Sequence, residues 1–242
     1  MRWRIVVIAS LLVCAAALVC GKFLSRAPEQ DAQAPRLENQ QGRNEEKPSY
    51  YLMVFASQAG NEARSSHTFA TFVKATREGS SEDDGKLEEH TISWLPRSLD
   101  IVIVRRWAEP GVNVDLQATR QWAESMGARV TMWGPFEIEK ELYDRGLAQI
   151  ARLQSGAVRY KAIDEKFRPD ASNCIHAVSD VDTGNGFLHV GKVWGEPASA
   201  QVVDHLRRWM IEPEKTHPWL AKKLGLEDYL RSQPTAGPGA ED

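Results

Sequence analysis

Residues 50–55 read Tyr-Tyr-Leu-Met-Val-Phe, and residues 67–73 read His-Thr-Phe-Ala-Thr-Phe-Val. Both stretches are rich in aromatic and β-branched residues, and a polar segment separates them, which predicts two neighbouring strands. Residues 80–85, Ser-Ser-Glu-Asp-Asp-Gly, are typical of an exposed turn before a third strand at residues 90–94. The three strands therefore predict a hairpin or meander, and with it an antiparallel sheet.

Helix and strand patterns alternate in the remainder of the chain. Further strands are predicted at residues 101–104, 129–133 and 187–190 and near Tyr160. Helices are predicted after Asp115 up to Gly127, from Pro135 to Ser155-Gly156, from a cap at Asp170 or Ser172, over 202–210 and over 219–224. The balance predicts an α+β fold in which helices pack on an antiparallel sheet.

The N-terminus has the composition of a membrane anchor or an export signal. Arg2 and Arg4 precede an uncharged, largely apolar run from Ile5 to Cys20. Extended to residue 24, the run reaches about 30 Å as a helix, which matches the hydrocarbon core of a bilayer. Because the apolar run continues where a cleavage region would be polar, the pattern favours an uncleaved anchor at residues 1–24 over a cleaved signal.

The rest of the chain divides into three parts by composition. Residues 25–48 are rich in Gln, Glu, Asn, Arg and Pro, which predicts a disordered linker. Residues 49–232 are the predicted α+β domain, and residues 233–242, with two Pro and two Gly, are a predicted flexible tail. We expect the domain on the periplasmic or extracytoplasmic side of a membrane.

Charge and cysteine content narrow the class of function. The 242 residues hold 30 Lys+Arg and 33 Asp+Glu, a net charge of −3. Residues 1–24 hold three of the cations and no acid, so 27 cations and 33 acids remain and the rest of the chain is at −6. An acidic domain argues against nucleic acid as a partner. Two of the three cysteines lie in the apolar segment, which leaves Cys174 as the single thiol of the domain.

Cys174 is the residue that points to a reaction. It lies in the first turn of a predicted helix, where backbone N–H groups and the helix dipole favour a thiolate. A thiolate nucleophile needs an imidazole as base, and His67 begins a predicted strand. His90, on the strand expected to pair with it, is a candidate to orient that base. Each of the three also has a structural interpretation: a buried thiol for Cys174 and hydrogen-bonded histidines for the others.

The order of these residues resembles a known superfamily. A strand beginning His67-x-Phe69, a helix ending Leu153-Gln154-Ser155-Gly156, a tyrosine at 160 and the motif Asn173-Cys174-x-His176-x-Val178 look like the circularly permuted papain-like proteins, the NlpC-type hydrolases and lecithin–retinol acyltransferase relatives. The resemblance implies Cys174 as nucleophile, His67 as base and His90 as the orienting group. It also implies an envelope peptide, an amide or a lipid ester as substrate.

Other interpretations of the sequence stay open. His176, two residues beyond Cys174 on a helix, is expected to point away from the thiol and to support packing. Residues 180–186 resemble a calcium loop but lack its ligands at two positions, and the six His show no zinc spacing, so we predict neither a metal nor another cofactor. The predicted function is a membrane-tethered or exported cysteine hydrolase or acyl or amide transferase. The alternative is a non-catalytic envelope binding or scaffold protein.

Overall fold

The computed structural model describes residues 47–60, 66–76, 85–163, 170–191 and 193–230. The predicted anchor at 1–24, the predicted tail at 233–242 and the predicted linker up to residue 46 lie outside these ranges. Within them, no helix combines the length and the apolar composition needed to cross a membrane.

The described residues form an α+β structure in which antiparallel sheets pack against helices. The strands are β1 (Ser49–Gln58), β2 (Ser66–Thr76), β3 (Lys86–Ile92), β4 (Trp94–Pro96), β5 (Glu109–Asn113), β6 (Arg129–Ile138), β7 (Arg159–Tyr160) and β8 (Ala171–Ser172). The α-helices are α1 (Leu116–Ser125), α2 (Lys140–Gln154), α3 (Cys174–Ser179), α4 (Glu196–Leu206) and α5 (Pro218–Lys223). Short 3₁₀ turns occupy Thr183–Asn185, Arg207–Trp209 and Glu227–Tyr229.

Two sheets of four strands organise the described residues. In the first, the order is β3-β2-β1-β6 and every neighbouring pair is antiparallel. In the second, the order is β4-β5-β7-β8, and the short pair of β7 and β8 is parallel. Nearly every residue of β1 and β2 is buried, because helices or chain segments cover both faces of the first sheet. The edge strand β3 instead carries charged residues toward solvent.

The two faces of the first sheet bury different clusters. Ala70 and Phe72 of β2 pack with residues of α2, α3 and α4 on one face. Phe69 and Val73 pack on the other face, where Leu220 of α5 also lies. Successive residues of a strand point to opposite faces, so this alternation assigns every side chain of β2 to one cluster or the other. We call them the α3 face and the α5 face.

The predicted strands at 50–55 and 67–73 are confirmed, and so is the pairing of the second with the strand that carries His90. The helix after Asp115 is also confirmed, since the Asp115 side chain accepts a hydrogen bond from the backbone N–H of Ala118 at 2.7 Å. These predictions are correct because turn and cap residues set the backbone conformation only within a few positions along the chain.

Several predicted elements were wrong. The helix predicted to begin at Pro135 begins at Lys140, because β6 continues through Pro135 and pairs with β1 beyond an irregularity opposite residues 52–54. Proline is tolerated there because such an irregularity leaves an N–H out of the ladder. Met210 lies outside its predicted helix and forms a bridge with Ile138.

Two predicted strands are absent among the described residues. Residues 101–104 form an irregular turn in which Ile101 is buried and Val104 is 88% exposed. Residues 187–190 also have no regular structure. In both segments the apolar residues lie at or near a cavity and are not part of a sheet. The hydrophobic pattern alone does not distinguish a strand from an irregular segment beside a cavity.

Candidate functional site

Cys174 is the first residue of α3, as predicted from the sequence. The cap is Asn173, not Asp170 or Ser172, because the Asn173 Oδ1 accepts a hydrogen bond from the backbone N–H of His176 at 2.8 Å. Asn173 Nδ2 donates to the carbonyl of Ala162 at 3.4 Å, which ties this corner to the segment after β7. Cys174 is 8% exposed and is not part of a disulfide.

A cavity of about 460 Å³ opens beside Cys174. Most of its wall is apolar and comes from four segments: the irregular turn after β4, the segment that begins at β7, the start of α3 and the loop before α4. Six of the apolar lining residues are Ile101, Ile103, Ile175, Phe187, Val190 and Trp194. A mostly apolar cavity with a small number of polar groups is typical of a site for a small molecule.

The polar groups of the cavity lie mainly around α3. His176 lines the cavity together with Cys174, and its Nε2 donates to the carbonyl of Leu188 at 2.8 Å. The His176 ring also packs on Phe187, with 4.1 Å between ring centroids. The expectation that His176 supports packing is therefore confirmed. The cavity lining includes both His176 and Cys174.

His189 is a cavity residue that the sequence argument did not single out. Its exposed ring lies edge-on to Phe187 at 5.0 Å. The residue stands in a stretch that the sequence predicted as a strand, and no local signal distinguishes it from a surface histidine. The carbonyl of the preceding residue, Leu188, accepts a hydrogen bond from His176, which is a tertiary interaction.

His67 does not lie in this cavity. His67 is two positions from Phe69 along β2, so its side chain points to the same face, the α5 face, while Cys174 packs on the α3 face. Its Nε2 lies 2.8 Å from Ser93 Oγ, and the ring meets the Trp122 ring edge-on at 5.4 Å. The His67 Nδ1 is buried and has no hydrogen-bond partner among the described residues. The predicted pairing of His67 with the Cys174 thiol is therefore not formed in this structure.

Burial also changes the protonation of His67. The side chain is 1% exposed, and the loss of solvent lowers the pKa of its imidazole to about 3. The ring is neutral throughout the physiological pH range, so it cannot serve as the imidazolium partner of a thiolate. Its environment is that of a core histidine.

His90 is separated from His67. It pairs with Phe72 on β2, five positions from His67, which places it roughly 16 Å along the strand. Its Nε2 interacts with Glu88 Oε1 at 3.0 Å at the partly exposed edge of the sheet. The predicted role of His90 in orienting the His67 ring is not supported by this geometry, because the two side chains point to opposite faces.

Metal binding has no candidate among the residues that the structure describes. Three or more His, Cys, Asp or Glu side chains do not converge anywhere in that part of the chain. His67 and His90 do not form a pair of ligands, because their side chains point to opposite faces of the sheet. Asp182, in the loop that resembles a calcium site, is buried and accepts hydrogen bonds from Arg208, with 2.8 Å between Nε and Oδ2.

Comparison with known proteins leaves the family open. The chain matches no family model, and neither the curated proteins nor the solved structures include a match. The cavity beside Cys174 and the residues around it are therefore the features that bear on function.

Proposed function

We propose that this domain binds an apolar or amphipathic small molecule in the cavity beside Cys174. The observation that carries the proposal is the cavity itself: about 460 Å³, with apolar walls and a few polar groups gathered at the start of α3. Such a composition suits a ligand with a hydrocarbon portion and one polar end. The proposal falls within the broader alternative left open by the sequence, a non-catalytic envelope binding or scaffold protein.

The separation of His67 from Cys174 favours binding over the predicted hydrolase mechanism. A thiol nucleophile and its base need to lie within hydrogen-bond reach of each other. Here the base predicted from the sequence is buried on the opposite face of the sheet, with Ser93 as its hydrogen-bond partner. The order His67, His90, Cys174 along the chain therefore does not by itself support a thiol–imidazole mechanism.

A second candidate function remains because Cys174 and two other imidazoles, those of His176 and His189, line one cavity. In this version Cys174 Sγ attacks an acyl carbonyl carbon, the bond to the leaving group breaks, and the thiol proton passes through one imidazole to the leaving group. Water or an acceptor amine or alcohol then cleaves the thioester and restores the thiol. Since His176 Nε2 donates to Leu188, its Nδ1 is the nitrogen that would accept the proton.

Two further parts of the proposal come from the sequence. Two features are consistent with a papain-like arrangement: a cysteine begins a helix, and that helix packs on an antiparallel sheet. The likeness is limited to these two features. An anchor at residues 1–24 would hold the domain at the cell envelope. Both would be relevant to a ligand that is itself a lipid or an envelope component.

Binding is tested by the protection of Cys174 from alkylation. The full chain is held in zwitterionic nanodiscs, decanoate is added as the probe, and carbamidomethylation by iodoacetamide is followed at the Cys174 peptide by mass spectrometry. We expect decanoate to slow the reaction at least fivefold and acetate, which lacks the hydrocarbon chain, to leave it unchanged. Equal rates with decanoate and acetate would overturn the proposal.

A pair of matched variants localises the effect. Ala162→Phe places a ring in the cavity and is expected to abolish the response to decanoate, because Ala162 lines the wall. Ala151→Phe introduces the same ring at an exposed position of α2 and should respond like the wild type. A full response to decanoate in Ala162→Phe would show that the probe acts elsewhere.

The second candidate is tested with p-nitrophenyl octanoate. Acyl transfer to the thiol predicts a burst of one p-nitrophenolate per chain and an octanoyl group on Cys174, both lost in Cys174→Ser. His176→Asn and His189→Asn then identify the base by the slower burst. A burst that survives in Cys174→Ser, or the absence of any burst, rules out this candidate and leaves the binding proposal.

A further inference from the structure

The irregular segment between β4 and β5 exposes large apolar side chains. Val104 is 88% exposed and Trp107 is 69% exposed, and only Arg105 and Arg106 separate them. Single exposed hydrophobic residues are common on soluble proteins and carry no meaning alone. Here a valine and a tryptophan stand within four residues of each other at the tip of one loop.

Most of the exposed large hydrophobic side chains lie either in this loop or on the cavity wall. The structure exposes seven large hydrophobic side chains in the part of the chain that it describes, and five of them lie in this loop or on the cavity wall. The five are Leu99, Val104, Trp107, Ile163 and Trp194, and the other two are Met126 and Ile211. Ile103 lines the cavity and Val104 follows it in the chain, so the exposed tip begins one residue beyond the cavity wall.

The charges of the loop tip are cationic although the chain as a whole is acidic. Arg105 forms an ion pair with Glu109 at 3.0 Å. The Arg106 guanidinium stacks on the Trp107 ring at 4.8 Å and forms no ion pair with the residues that the structure describes. Tryptophan and arginine beside an aliphatic side chain form the combination that sits at the boundary between lipid headgroups and acyl chains.

We propose that the tip formed by Val104, Arg105, Arg106 and Trp107 docks on an anionic lipid bilayer. Val104 and Trp107 enter the headgroup region, and Arg106 meets the lipid phosphates. The cavity mouth, with Ile163 and Trp194, then faces the bilayer. Docking stands by itself, whereas direct entry of a ligand from the bilayer into the cavity rests on the proposed function.

The docking is tested by hydrogen exchange of the full chain in nanodiscs. Peptides that cover residues 101–108 are compared between discs of phosphatidylcholine alone and discs that contain about one third phosphatidylglycerol. We expect exchange in this segment to be about fivefold slower in the anionic discs at low salt, and the difference to shrink at 0.5 M NaCl. Equal exchange in the two discs would overturn the proposal.

Variants separate lipid docking from other causes of protection. The double variant Val104→Asp with Trp107→Ala should lose the protection, and Arg106→Glu should lose the preference for anionic lipid. Ile211→Asp, at an exposed apolar residue away from the cavity, should retain both. Protection that persists in the double variant, or that depends on protein concentration rather than lipid charge, would indicate a protein partner and reject the bilayer.

The same variants keep the two proposals distinguishable. Val104 and Trp107 do not line the cavity, so their substitution should leave the decanoate protection of Cys174 intact. Conversely, Ala162→Phe should block decanoate and leave the hydrogen-exchange response to anionic lipid unchanged. A loss of both responses in either variant would contradict the assignment of docking and ligand binding to separate residues.

Discussion

His67 Nε2 lies 2.8 Å from Ser93 Oγ, and both residues are buried where β3 gives way to β4. Asn113 holds this corner, since its Oδ1 accepts from the Ser93 N–H at 2.9 Å and its Nδ2 donates to the Thr91 carbonyl at 2.8 Å. The histidine with the strongest sequence claim to catalysis therefore belongs to a hydrogen-bonded part of the core. Its ring joins the two sheets rather than serving the cavity at Cys174.

The burial of His67 predicts a loss of stability in mild acid. Its folded-state pKa, about 3, is below the ordinary value of 6.5, so protons bind the unfolded chain preferentially between these values. The contribution of the neutral ring to the free energy of unfolding is complete above about pH 6.5. It falls by about 1.4 kcal/mol for each pH unit below that value. Between pH 7.5 and pH 5 the wild type should lose about 2 kcal/mol from this residue.

Urea unfolding followed by tryptophan fluorescence at the two pH values measures this effect. His67→Gln removes the titrating group, so its loss between pH 7.5 and pH 5 should be about 2 kcal/mol smaller than that of the wild type. Between pH 7.5 and pH 8.5, above the ordinary pKa of the His67 imidazole, wild type and His67→Gln should change equally in stability, which is the internal control. Equal losses in wild type and His67→Gln would mean that the ring is accessible to protons in the folded state.

The reactivity of Cys174 should not depend on His67. The two side chains lie on opposite faces of the first sheet, so His67→Gln is expected to change the alkylation rate of Cys174 by less than twofold at pH 7.5. His90→Gln should have as little effect. The rate is read at the Cys174 peptide after iodoacetamide treatment, with circular dichroism as the check on folding. A tenfold decrease in folded His67→Gln would restore the predicted dyad.

Gly111 is expected to tolerate no side chain. A Cβ at this position would lie 2.0 Å from Cζ2 of Trp94, which is 1% exposed and donates its Nε1–H to the Ser172 carbonyl at 3.2 Å. Gly111→Ala should therefore destabilise the protein by about 3 kcal/mol or prevent folding. Gly156→Ala is the control, because a Cβ built at this position would meet no atom within 4 Å. It should lower the free energy of unfolding by about 1 kcal/mol, since the φ of Gly156 is positive, at 79°.

A double variant tests the cause of the Gly111 effect. Trp94→Leu removes the ring atoms that the new methyl would strike, so Gly111→Ala should cost much less in that background than in the wild type. The difference between the two costs, measured by urea unfolding, is the coupling energy of the pair. Additive costs would show that the backbone at Gly111, and not the Trp94 ring, is the sensitive feature.

The elements that the sequence predicted well are those with local causes. The strand at 50–55 is a run of apolar residues, and the helix after Asp115 has its cap within three residues. The elements predicted wrongly depend on distant partners. Pro135 stays in a strand because β1 pairs across it, and residues 101–104 form a turn because Ile101 and Ile103 line a cavity.

By itself, the sequence determined an α+β domain, its main strands and helices, and the place of Cys174 at the start of a helix, because short-range propensities and caps act along the chain. Only the tertiary structure decided what surrounds that thiol. Side chains along a strand point alternately to the two faces of the sheet, with a period of two residues. Ser66 therefore lines the cavity on one face, whereas the next residue of β2, His67, is buried in the core on the other face. Chain order could not reveal that difference, because it depends on how the strands pair and which helices cover them.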